Sequence, residues 1–229
     1  MYRILRAPSL RFGWKGAIAF GLSFVAVNVL DSLINDGLLR FEFNHVQSFL
    51  LDPQAQQRWI FATTFLSWIV ASVAGGLLFA ALFTGRFRFW RIAGLGTIGY
   101  LVPNLVLTGL MYSALVNTKG FNYQWFSWAM EALAGLFLGA IIASVADVRL
   151  RKFVLLGAGA IFYPLLMESS SRLIWGLLPP ASPLFFKPAE SYRNLTLVCM
   201  LAGLLFGLLM GLILGWGRKT STAGPQDTT

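Results

Sequence analysis

Residues 194–217 read NLTLVCMLAGLLFGLLMGLILGWG, a run without one charged side chain. Wound as an α-helix at 1.5 Å per residue, it is about 36 Å long. That exceeds the roughly 30 Å hydrocarbon core of a bilayer, so the run reads as a transmembrane helix. Gly203, Gly207, Gly211 and Gly215 recur every four residues and therefore share one helix face. Small residues let two helix backbones approach closely, which is how helices associate where lipid removes the hydrophobic drive. The stripe, a glycine zipper in pattern, thus predicts close packing. It leaves open whether the partner is a helix of this chain or of another subunit.

Five further stretches have the same length and character, at roughly 14–36, 59–83, 92–115, 124–147 and 153–177. Across all 229 residues, 57% are hydrophobic and 12% charged. Soluble domains sit near 45–50% and about 25%, so the surplus apolar surface must face something other than water. No stretch alternates polar and apolar residues as a barrel strand does. The fold class expected is an all-α membrane protein of six transmembrane helices. Residues 1–219 form one helical domain, and 220–229, polar with Gly224 and Pro225, form a short disordered tail. Arg3, Arg6, Arg11 and Lys15 before an apolar run resemble a signal peptide, but Asp31 stands where a cleavage site is sought. The first span is expected to be retained.

The net charge of +9 is a topology signal. The N-terminus, the second and fourth connections and the C-terminus carry twelve Lys and Arg. The other connections carry six: Arg40, Arg58, Lys119, Arg172, Lys187 and Arg193. The positive-inside rule then places both termini in the cytoplasm. The basic residues flank spans instead of forming a patch, so no nucleic-acid partner is expected. Short loops and small size fit a bacterial cytoplasmic membrane. In the first outer connection Leu39, Phe43, Val46 and Leu50 recur at helical spacing and predict a short surface helix. Pro179, Pro180, Pro183 and Pro188 stiffen the third outer connection around Leu184, Phe185 and Phe186. Most of the eight tryptophans sit near span ends, as an interface belt does.

An internal repeat is also legible. Leu133-Ala134-Gly135-Leu136 matches Leu201-Ala202-Gly203-Leu204, and Gly139 matches Gly207. Trp68, Ala74 and Gly75 match Trp128, Ala134 and Gly135, while Gly96 and Pro103 match Gly157 and Pro164. Three tandem helical hairpins are expected. Three repeats in six helices are similar to the mitochondrial carriers, yet Asn104-Leu105 and Leu165-Leu166 follow the prolines where that family has an acidic-basic signature, which excludes it.

Ionisable groups inside a span are costly and usually functional. Asp31, Glu131 and Glu168 fall at similar depth in the outer half of the bilayer by the helical rise. They could converge on one outward-facing pocket that binds a proton, an amine or an organic cation. Asn28, Asn35, Ser32 and Ser169 to Ser171 lie at that depth, and Asn104 lies nearer mid-membrane. Pro103 and Pro164 free backbone carbonyls for ligand contact. The bland readings are an ion pair of Glu168 with Arg172 four residues on, and a solvated Asp31. Glu131 has no basic partner three or four residues away and is the strongest candidate.

One histidine, His45, and one cysteine, Cys199, exclude disulfide frameworks, multi-cysteine metal sites and paired-histidine ligation. No phosphate-binding loop, zinc spacing or nucleotide fingerprint is present, so no cofactor is expected. Asn194-Leu195-Thr196 fits a glycosylation sequon but lies too close to the membrane. The leading expectation is a small-solute permease or substrate-binding membrane component. Size, topology and the small residues Ala17 and Gly21 of the first helix resemble the substrate-capturing subunits of energy-coupling-factor vitamin importers. The alternative is a non-catalytic structural or assembly subunit of a larger membrane complex, with a protein partner or a homo-oligomer. A lipid enzyme using Glu131 or Asp31 is the third reading.

Overall fold

The computed structural model describes residues 8–45, 53–83, 88–111, 123–144, 149–179 and 188–216. Six α-helices and no strands are found among them: α1 (Pro8–His45), α2 (Pro53–Phe83), α3 (Phe89–Met111), α4 (Tyr123–Ala143), α5 (Arg149–Leu177) and α6 (Pro188–Gly215). Five of the six are long and apolar enough to cross a membrane, and large apolar side chains such as Leu22, Leu33, Val70, Ile161 and Leu205 face outward from them. In water that surface would drive aggregation, and it points to a membrane location.

Three helices begin with proline, at Pro8, Pro53 and Pro188. Proline suits the first helical position because its missing N–H is one the helix leaves unpaired anyway. Helix α1 differs from the sequence expectation. It runs unbroken to His45, so Leu39 and Phe43 continue the first helix instead of starting a separate surface helix. Gly37, the glycine between the first apolar run and Leu39, costs about 1 kcal/mol in a helix and does not end one. Val46 and Leu50 lie outside the described residues, as do Leu184 to Phe186 and the tail.

Each helix packs against the next in sequence, and α6 returns to α1, closing a ring of six. The α1–α6 seam is the most extensive contact. Glycine makes it possible. A Cβ at Gly207 would fall on the Gly16 carbonyl, one at Gly211 on the Phe12 carbonyl, and one at Gly203 on the Phe20 carbonyl and the Gly21 Cα. Gly215 is buried at the end of the same helix. The α4–α5 pair is as close: Cβ atoms at Gly135 and Gly159 would each strike the other's carbonyl, and one at Gly139 would strike Leu155. In the α2–α3 pair, Gly76 lies against Ala93 and Thr97, and Gly96 against Gly76. The tightest pairs are therefore α2–α3, α4–α5 and α6–α1, each joining an even helix to an odd one. Gly157, matched to Gly96 by its spacing to proline, faces open space, and Gly159 occupies the crossing point instead.

The ring is filled. Phe20, Phe79 and Phe206 are fully buried, with ring centroids of Phe20 and Phe79 4.5 Å apart and of Phe20 and Phe206 5.1 Å apart. Phe24 meets Tyr100 edge-on at 5.5 Å and Tyr163 at 5.7 Å, and Tyr163 meets Phe206 at 5.4 Å. Such edge-to-face pairs add roughly 0.5–1.5 kcal/mol each beyond area burial. The cluster draws on α1, α2, α3, α5 and α6, while α4 contributes Leu138, Ile141 and Ile142 to the same core. One polar pair sits inside it: Ser23 Oγ and the Tyr100 hydroxyl are 2.6 Å apart, and Ser23 also donates to the Ala19 carbonyl at 2.6 Å. Arg88 caps α4 across the bundle by donating to the Ser144 carbonyl at 3.2 Å. Asn194, fully buried, donates to the Leu178 carbonyl at 2.8 Å and ties the start of α6 to the end of α5.

Candidate functional site

Helices α3, α4 and α5 enclose a cavity of about 160 Å³. Gly99, Tyr100, Pro103 and Asn104 line it from α3, Ser127 and Glu131 from α4, and Tyr163 from α5. Met130, Met167, Ala134 and Leu138 complete the wall. The volume is close to that of an engineered protein cavity that holds benzene, so it suits a ligand of about six heavy atoms.

Glu131 is the carboxyl group of the lining. It is half-buried, and its carboxylate hydrogen-bonds the Ser127 side chain one turn earlier. A hydroxyl donates a single proton, which leaves most of the carboxylate's acceptor capacity unspent. Asn104 Nδ2 donates to the Tyr100 carbonyl at 2.6 Å, so the amide presents its oxygen as the remaining acceptor. Pro103 has no N–H, and the Gly99 carbonyl one turn before it loses its helical donor. The lining holds no lysine, arginine or histidine. A carboxyl group, an amide, hydroxyls and two phenol rings therefore make up the polar part of the wall.

Of the residues that the sequence singles out, Glu131 and Asn104 share this cavity, and Asp31, Asn28 and Glu168 make their contacts outside its lining. Asp31 accepts from Ser67 Oγ at 2.5 Å, which joins α1 to α2. Asn28 donates to Thr196 Oγ1 at 2.8 Å, which joins α1 to α6. Glu168 pairs with Arg172 at 2.7 Å on the exposed side of α5, although its charge is within electrostatic reach of Glu131. The glycines Gly135, Gly139, Gly203, Gly207 and Gly211 meet helices of their own chain. Sequence reasoning did not find Ser127, Met130 or Met167. Ser127 carries a usable signal, since it lies four residues before Glu131 on the same helix face. Among the described residues no group of three His, Cys, Asp or Glu side chains is placed to hold a metal ion.

No family model, curated protein or solved structure matches the chain. The functional reading therefore rests on the chemistry of the cavity.

Proposed function

We propose that this chain is an integral membrane protein that binds a small cationic solute at Glu131 and acts as a permease or as the solute-binding component of one. The observation that carries this reading is a carboxylate lining a cavity between three helices, surrounded by acceptors and free of basic side chains. An intramembrane carboxylate is retained at a cost of a few kcal/mol, and a cationic ligand is what offsets it. The glycine stripe of α6 packs on α1, so it no longer argues for a partner subunit.

In the proposed arrangement all six helices span a bacterial cytoplasmic membrane with both termini inside, in accord with the twelve-to-six distribution of Lys and Arg. The three close even–odd pairs support three structural repeats, each contributing a glycine crossing. A fluorescent protein fused after Thr229 tests the orientation. Fluorescence is expected, because a fusion that folds only in the cytoplasm lights up on that side. A dark, full-length fusion would reverse the topology.

The function is tested by charge movement. Proteoliposomes adsorbed on a solid-supported membrane are exposed to a jump in n-butylammonium concentration, with n-butanol as the neutral control. A charge displacement is expected with the cation and none with the alcohol or with protein-free liposomes. Equal signals with and without protein would overturn the proposed function.

A further inference from the structure

Within that reading, on which this inference rests, we infer that the Glu131 cavity selects a primary ammonium group on a short apolar stem. A primary ammonium carries three N–H donors, and the lining residues include three acceptors of different kinds besides the Ser127 and Tyr163 hydroxyls. The three are the Glu131 carboxylate, the Asn104 amide oxygen and the Gly99 carbonyl, and all three residues line the space. Each is left available for a separate reason. Ser127 uses one carboxylate site of Glu131. The bond from Asn104 Nδ2 to the Tyr100 carbonyl fixes which end of that amide accepts. Pro103 denies Gly99 its helical donor.

The rest of the wall fits the stem. Tyr100 and Tyr163 present aromatic carbon, held in place by their edge-on contacts with Phe24, and Met130 and Met167 present thioether chains that adapt to an alkyl group. At about 160 Å³ the space takes four or five carbons beside the nitrogen. Two other cation classes fit less well. A quaternary ammonium has no N–H and would leave three acceptors unsatisfied in a dry wall. A hard divalent cation prefers an all-oxygen shell, and this lining sets two thioethers beside its oxygens.

The test is isothermal titration of the purified full-length chain with n-butylammonium, tetramethylammonium and n-butanol. Butylammonium is expected to bind at least tenfold more tightly than tetramethylammonium, and butanol not measurably. Pro103→Ala supplies the inference's own control, because its new N–H would bond the Gly99 carbonyl while making α3 a more regular helix. That variant is expected to fold and to bind butylammonium about tenfold more weakly, the loss that accompanies one hydrogen bond to a charged group. Tetramethylammonium binding as tightly as butylammonium would overturn the three-donor assignment and leave the cation site of the proposed function standing. Unchanged affinity in Pro103→Ala would remove Gly99 as a ligand and overturn the assignment too. If neither cation binds the wild-type chain, the proposed function itself fails.

Discussion

Gly207→Leu lowers the unfolding midpoint of the detergent-solubilised protein by roughly 10 °C, corresponding to about 3 kcal/mol. The reason is geometric. At Gly207 the first side-chain carbon already meets the Gly16 carbonyl and the Ala17 Cα, which are backbone atoms and cannot rotate away. A leucine must push α1 and α6 apart, and every contact along the seam weakens with distance. Gly157→Leu is the matched control. A Cβ there meets nothing, so the midpoint is expected to stay within about 2 °C of wild type. Thermal unfolding followed by intrinsic fluorescence and size-exclusion chromatography decides the matter. If the two variants behaved alike, backbone contact between α1 and α6 would not be what holds the ring closed.

Glu131→Gln reduces affinity for n-butylammonium by roughly 30-fold or more. Gln keeps the shape and can still accept from Ser127, so the fold is expected to persist with little change in midpoint. What disappears is the charge opposite the ammonium. Truncating one partner of a buried charge pair costs about 2–5 kcal/mol, and each 1.4 kcal/mol is a factor of ten. Asp31→Asn is the comparison, because Asp31 bonds Ser67 between α1 and α2, away from the cavity lining. Its affinity is expected to stay within about twofold of wild type. Equal losses in both variants, measured by titration calorimetry, would mean that the overall field of the protein and not a local contact governs binding.

Much of this architecture was readable from hydropathy alone. Six apolar runs became six helices, five of them long and apolar enough to cross a membrane. Helix ends were less legible. The stretch from Gly37 to His45 carries Arg40, Glu42 and Asn44 and reads as an outer connection with a surface helix of its own, yet nothing in it breaks the first helix, and α1 simply continues. Pro8, Pro53 and Pro188 each open a helix six residues before the span read from hydropathy begins, a start signal that hydropathy does not carry. The α6 stripe announced a close approach, but a face of small residues carries no record of its partner. Gly16, Gly21 and Phe12 become that partner only through the ring topology. Glu131 stood out because an unpaired carboxylate in a span has few bland explanations. Asn104 was singled out by depth alone, and its sharing a cavity with Glu131 could not be foreseen. Asn104 and Gly99 come from another helix, and the register between two transmembrane helices is set by packing that leaves no local pattern. The same limit explains Asp31, whose partner Ser67 is 36 residues away.

Ring closure through α1 and α6 also dictates a schedule. A chain emerging from a ribosome delivers α1 well before its principal partner α6, with four helices in between. Until α6 arrives, the groove formed by Gly13, Gly16 and Gly21 has nothing to receive but lipid tails or another nascent helix. Helices α2 to α5 can already dock as two close pairs, so the arrival of α6 is expected to act as a lateral capture that turns an open arc into a closed ring. A ribosome stalled before Pro188 should therefore hold an arc that proteases and insertion factors still recognise as unfinished, whereas release of α6 should seal it in one cooperative step.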